Sequence, residues 1–188
     1  MLERNRIRLG ELLRANSLMF GDFLLASGKR SSFYFDSKKT TLLPEGAYLT
    51  AVEILGLLQD RGIEADAIGG MTLGADPIVC PVAAISHIWG GHLRAFIVRK
   101  EAKEHGTGRR IEGNLAPRSR VVVVDDVVTT GGSTLRAIEA VEEAGHMIVA
   151  VICLVDREEG GSEKLSRWPF FPLFRKEEIF GLSAPSAP

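Results

Sequence analysis

Cysteine is scarce in this chain: 188 residues contain two, Cys80 and Cys153, each inside an apolar run (PIVCPVAA and VAVICLV). Neither belongs to a Cys-x-x-Cys pair, which argues against a zinc site, and two cysteines do not make a disulfide scaffold in a chain of this size. Both are expected as buried, reduced thiols. Long apolar runs are also missing. None approaches the roughly 20 residues that span a bilayer, and the opening MLERNRIRLGELL is charged and amphipathic, without the apolar centre of a signal peptide. Net charge is nearly absent, with 23 basic against 24 acidic residues and a formal charge of −1. No global field therefore recruits nucleic acid or an anionic membrane, and any basic function must be local. What is present, 45% hydrophobic and 25% charged residues, is an ordinary globular balance with enough length for one sizeable core. These properties predict a single cytoplasmic domain, an enzyme or binding protein with no nucleic-acid and no membrane partner.

The periodicities alternate in kind. Ile7, Leu9, Leu12 and Leu13 predict a helix over 5–16, and the broken alternation of Phe20, Phe23, Leu25, Phe33 and Phe35 predicts a hairpin or bent ribbon. Pro44-Glu45-Gly46 opens a second helix, about 45–61, with Ala51, Ile54, Leu55 and Leu58 on one face and Gly62 as its stop. Then come strand, glycine-rich loop and helix in ADAIGGMTLGADPIVCPVAAISH, a strand in HLRAFIVRK, and an exposed polar loop in EAKEHGTGRRIEGN. SRVVVVDD reads as a third strand, apolar throughout as in a sheet covered on both faces. STLRAIEAVEEAGH is a helix closed by Gly145, and MIVAVICLVDR a fourth strand. Strands alternating with helices make βαβ units, hence an α/β fold with a parallel sheet. The tail after Asp156 holds Trp168, Phe170, Phe171, Leu173 and Phe174, too aromatic to hang loose, whereas the closing SAPSAP is expected to fray.

The most informative stretch is VVVVDDVVTTGGST, residues 121–134. In open α/β sheets, ligands lie beyond the carboxyl ends of the strands. Asp125 and Asp126 stand at such an end. Two adjacent carboxylates are costly to bury without partners, so they are expected to face a cleft and accept hydrogen bonds, with vicinal diols as suitable donors. The following Thr129-Thr130-Gly131-Gly132-Ser133 offers backbone N–H groups, hydroxyls and the start of a helix, together a cradle for a phosphate monoester. The composite reads as a site for a ribose 5-phosphate. Receiver domains also end strands in acids but lack this turn. The Gly-x-x-x-x-Gly-Lys-Ser/Thr of a nucleotide P-loop is absent. A purely structural turn is the remaining alternative.

A second stretch, VRKEAKEHGTG with its flank Arg109-Arg110, gathers Arg99, Lys100, Lys103 and His105 between glycines. Such a loop suits a polyanion. If pyrophosphate leaves an anomeric carbon, cations there act where charge develops, and closure of the loop keeps water from an oxocarbenium-like centre. The plainer alternative is a solvated charged loop in which Glu101 and Glu104 pair with the cations.

The 121–134 stretch resembles the phosphoribosyl pyrophosphate (PRPP) motif of type I phosphoribosyltransferases. RKEAKEHG resembles the catalytic loop of the orotate members, and FLLASGKRSSFYFDSKK resembles their N-terminal segment. The order of these motifs along residues 17–175 matches the family. The resemblance implies a type I phosphoribosyltransferase fold, a single domain over 1–188. Its core would span about 45–156, with a small hood from about 1–40 and 157–180 and a mobile catalytic loop at about 99–113. The implied reaction is orotate plus PRPP giving orotidine 5′-monophosphate and pyrophosphate, a step of pyrimidine biosynthesis.

The resemblance also implies roles. Lys103, Asp125 and Asp126 are catalytic. PRPP is bound by Arg99, Lys100, Lys103, His105, Asp125, Asp126, Val127, Val128, Thr129, Thr130, Gly131, Gly132 and Ser133. Orotate is held by Thr129, Arg157, Phe33 and Tyr34, with the Ser27-Gly28-Lys29 turn nearby. Packing of the ribbon is the alternative for Phe33 and Tyr34, and a salt bridge to Glu158 or Glu159 the alternative for Arg157. Mg²⁺ is implied as cofactor, bound mainly through substrate with no protein metal site, and a homodimer is implied that shares the catalytic loop across subunits. Enteric-type members carry lysine where this chain has Ala26, and Tyr-Lys where it has Thr72-Leu73. GGMTLGADPI follows a shorter branch, in which Met71, Thr72, Leu73 and Gly74 meet pyrophosphate through backbone. A purine phosphoribosyltransferase and a non-catalytic PRPP-binding regulator are the rival readings.

Overall fold

The computed structural model describes residues 2–24, 30–101 and 110–182. In chain order they form α1 (Leu2–Leu12), a π-helical turn (Leu13–Ser17), β1 (Leu18–Leu24), β2 (Arg30–Phe35), α2 (Lys38–Thr41), α3 (Pro44–Asp60), β3 (Ala67–Met71), α4 (Asp76–Ile88) and β4 (Arg94–Val98). They continue with β5 (Ile111–Gly113), β6 (Arg120–Val128), α5 (Gly132–Glu143), β7 (Met147–Asp156), α6 (Gly161–Lys164), β8 (Phe170–Arg175) and α7 (Lys176–Gly181). Six strands make the main sheet in the order β5-β4-β3-β6-β7-β8, parallel except for the short antiparallel β5. A separate antiparallel ribbon pairs β1 with β2. None of these helices is long and apolar enough to cross a membrane.

The alternation of β6 explains its uninterrupted valines. Val122 and Val124 join the core formed with α1, α3 and α4, while Val121 and Val123 join the core beneath α5. All four are fully buried, each contributing about 1.5–3 kcal/mol of apolar burial. Both faces of the strand are covered, so the sequence shows no polar alternation.

The structure departs from the sequence reading at five places. The first helix ends at Leu12, and a wider turn delivers Leu13 and Ser17 to the interior. β6 does not stop at the aspartates but pairs with β7 as far as Val128 opposite Asp156. The polar loop after β4 contains β5, paired from Val98–Ile111 to Phe96–Gly113. The aromatic tail supplies an edge strand, β8, whose Leu173 and Phe174 are buried beside β7. Finally, Cys80 is exposed: α4 turns it away from the core, whereas Cys153 is buried in β7 as expected.

The chain runs outward through β3 and β4 on one side and through β6, β7 and β8 on the other. The order reverses between β3 and β6, and in such sheets this is where loops splay apart and leave a crevice. The loops at 72–75 and 129–131 flank that point.

Candidate active site at the sheet switch point

Strand alternation separates the two acids. Asp125 points toward α5 and is only 4% exposed. Its Oδ2 accepts from Ser133 Oγ at 2.8 Å and Thr134 Oγ1 at 2.6 Å, and its Oδ1 accepts from the Asp126 N–H at 3.0 Å. Burial pushes this carboxyl up to about 6, against the pull of the Thr134 hydroxyl and with a further push from the Asp126 charge. Asp126 points to the opposite face and is half-buried. There its Oδ2 accepts a hydrogen bond from Ser37 Oγ. Gly74 lies against the same carboxylate, and a Cβ at position 74 would collide with it. The expectation that both carboxylates face one cleft is therefore corrected: Asp126 is the accessible one, and Asp125 is turned inward to hold the first turn of α5.

The turn between β6 and α5 comes next. Val127 is half-buried and Val128 buried, Thr129 half-buried and Thr130 exposed. Gly131 sits in the left-handed region at φ 75°, and Gly132 and Ser133 begin α5. The turn is braced from behind by Gly161. A Cβ there would strike Val128, come within 2.8 Å of the Thr129 carbonyl and lie 3.1 Å from the Gly131 nitrogen. Only a residue without a side chain allows this approach.

On the neighbouring strand, Thr72 and Leu73 are joined by a cis peptide bond. Thr72 donates to Asp76 at 2.8 Å, its N–H reaches Val98 O at 2.9 Å, and Leu73 is exposed. Arg99 and Lys100, at the carboxyl end of β4, are both exposed. Arg99 pairs with Glu112 at 3.0 Å, so its anion partner comes from β5. Arg110 donates weakly to Arg136 O at 3.5 Å, on α5. Lys103, His105 and Arg109, and likewise Ala26 and the Ser27-Gly28-Lys29 turn, lie outside the described residues.

The base-side residues come together in part. Arg157 lies over the Phe33 ring, 4.8 Å from its centroid, and pairs with Glu159 at 2.8 Å. Its side chain is only 12% exposed, and its Nε is buried without a partner among the described residues. The Arg157 N–H bonds Val128 O at 2.9 Å, tying this arginine to the end of β6. Phe33 also meets Phe180 of α7 edge-on at 5.0 Å. Tyr34 is on the other face of the ribbon beside Phe23, as the two-residue period of β2 requires, so it does not join Phe33 and Arg157.

Four positions of the candidate site received no role in the sequence reading. Thr134 ends the 121–134 stretch and Ser37 lies within FLLASGKRSSFYFDSKK, so both stood inside recognised motifs, while Gly161 lies four residues past Arg157. Phe180 carried no signal, because its contact with Phe33 spans 147 positions of the chain.

Residues 90–175 match the family described as "Phosphoribosyl transferase domain". The chain is 43% identical over 184 residues to the orotate phosphoribosyltransferase of Aquifex aeolicus (strain VF5), covering 95% of this chain and all of that protein. Among solved structures, the Mycobacterium tuberculosis H37Rv orotate phosphoribosyltransferase in complex with Fe(III) dicitrate superposes with a TM-score of 0.82 at 36% identity, covering 95% of this chain and 99% of that one. A structure of that M. tuberculosis enzyme with PRPP gives 0.78 at 31% identity, covering 94% and 99%.

Proposed function

The chain belongs to the orotate phosphoribosyltransferase family, and from that premise we propose how its residues divide the reaction. It transfers the 5-phosphoribosyl group of PRPP to orotate, giving orotidine 5′-monophosphate and pyrophosphate in pyrimidine biosynthesis. The observation that carries the assignment of roles is the meeting of three features at one switch point. These are Asp126 on β6, the turn 129–133 at the start of α5, and Arg157 stacked on Phe33 beside them.

The 5′-phosphate sits on the backbone N–H groups of Thr129 to Ser133 and the hydroxyls of Thr129 and Thr130, at the positive end of α5. Asp126 accepts from the ribose hydroxyls. Asp125 accepts from the Ser133 and Thr134 hydroxyls, which fixes the first turn of α5 and with it the backbone N–H groups that face the phosphate. Orotate lies near Phe33 and Thr129. Its carboxylate or a ring carbonyl takes the guanidinium of Arg157, whose Nε has no partner among the described residues. Tyr34, on the far face of the ribbon, has no part in this pocket. N1 of orotate enters as the anion, so no strong base is required.

Arg99, Lys100, Lys103 and His105 face the departing pyrophosphate, where negative charge grows as the C1–O bond breaks. We assign the loop to the neighbouring site of a homodimer. Chains carrying Lys103→Ala and Asp126→Asn, each inactive alone, should then regain activity when subunits exchange; no recovery after proven exchange places the loop on its own subunit. Among the described residues no three His, Cys, Asp or Glu side chains form a metal-holding group. We assign Mg²⁺ mainly to substrate oxygens, with the half-buried Asp126 the carboxylate in reach. When bound, the ion would offset charge on the pyrophosphate.

The deciding experiment supplies PRPP with orotate, adenine or xanthine in turn and follows pyrophosphate release. Orotate-dependent release is expected. Release with a purine alone, or PRPP binding without release on any base, would overturn the assignment.

A further inference from the structure

We propose that Ser37 is a positioning residue that fixes the orientation of the Asp126 carboxylate for the ribose of PRPP. The inference rests on the functional reading above and deepens it at one residue.

Ser37 directly precedes α2 and is fully buried. Its carbonyl accepts from the N–H groups of Thr40 at 2.9 Å and Thr41 at 2.8 Å, so the backbone closes the turn by itself. Its backbone is itself helical, φ −53° and ψ −32°, so the hydroxyl is not placed to cap the first N–H groups of α2. The hydroxyl instead crosses 89 positions of sequence to Asp126 Oδ2. A fully buried hydroxyl whose side-chain bond goes to a distant carboxylate at the switch point serves that carboxylate.

The consequence is a fixed orientation. Ser37 donates to Oδ2, and Gly74 lies so close to Oδ1 that no Cβ would fit, so the carboxylate is held between the turn into α2 and the loop that follows β3. The charges around it agree. Lys38 bonds Asp36 at 2.8 Å and is drawn toward the charged form by that bond first, against burial, and then by Asp126. The start of α2 thus brings a hydroxyl and a cation to the acid that meets the sugar. An aspartate free to rotate would spend part of its binding energy on ordering itself when PRPP arrives.

The test is a double-mutant cycle on PRPP affinity, read by calorimetry on the full chain with Ser37→Ala, Asp126→Ala and the pair. Ser37→Ala is expected to weaken PRPP about tenfold, the scale of one hydrogen bond to a charged group, and by less than about twofold when Asp126 is already alanine. Ser37→Thr, which keeps the hydroxyl, should restore most of the affinity. Equal losses in both backgrounds, or no loss with Asp126 intact, would overturn the proposal. Thermal melts check folding, and if Ser37→Ala does not fold, the near-isosteric Ser37→Cys takes its place in the cycle. The cycle needs only PRPP binding. A wild-type chain that binds PRPP but ignores orotate would sink the functional reading while the cycle still decides the role of Ser37.

Discussion

The two halves of the site are built from different material. The phosphate side, β6 with the turn into α5, is backbone, glycine and short hydroxyls set between two buried cores. Val121 to Val124 are wholly enclosed, and Asp125 is bonded on both oxygens. The base side is the ribbon β1–β2 with Arg157 and α7. There Phe20, Leu24 and Tyr34 are exposed, and the contacts are ring on ring or guanidinium on ring. The difference teaches where rigidity is placed. Every phosphoribosyl donor presents the same phosphate and diol, so donors fixed by the sheet serve it best. A base is a flat heterocycle that side chains of a lightly packed ribbon can select, and that part can vary without disturbing the core.

The comparison breaks most sharply at Gly161. Valine there would push Val128 and the Thr129 carbonyl out of place. kcat/KM for PRPP should fall by at least about 10²-fold, roughly 3 kcal/mol of lost transition-state stabilisation. Steady-state kinetics check this. A loss confined to orotate would mean that the brace serves the base side instead.

A second effect belongs to the phosphate side alone. The folded Asp125 carboxyl is held near about 6, above its ordinary 3.8. The folded chain therefore binds this proton more tightly than the unfolded chain, so stability falls as pH rises from about 4 to about 6 and is level above that. Asp125→Asn removes this dependence. Over that window the melting stability of the variant relative to wild type should rise by an amount on the order of 2–3 kcal/mol. Phe33→Leu on the base side should leave the pH profile of stability unchanged. Parallel wild-type and Asp125→Asn profiles across the window would remove Asp125 as the source.

The smallest of the three sharpens the base side. Arg157→Ala should raise KM for orotate about 10- to 30-fold, the scale of about 1.4–2 kcal/mol for a charged hydrogen-bond pair, with KM for PRPP little changed. Equal rises for both substrates would show that the bond from the Arg157 N–H to Val128 O makes the two halves one mechanical unit.

Much of this was legible in the sequence. The valine run with its acids, the small-residue turn after it and the cation-bearing loop are local patterns, because a strand covered on both faces and a phosphate cradle each need particular residues in consecutive positions. Arg157 and Phe33 were legible as separate candidates, while their stacking was not. Two adjacent aspartates look equivalent in a string of letters. The two-residue period of a strand sends them to opposite faces, and what waits on each face is a matter of packing.

By itself, then, the chain's order of residues settled the alternation of strands and helices and the small-residue turn between β6 and α5, since both follow from period, backbone freedom and short-range hydrogen bonding. Only the folded arrangement decided that Asp125 goes inward to Thr134 and Asp126 outward to Ser37, that Tyr34 turns away from Arg157, and that Phe180 closes on Phe33. Those outcomes depend on which faces the sheet and its helices bring together across tens to more than a hundred residues, and no local pattern encodes them.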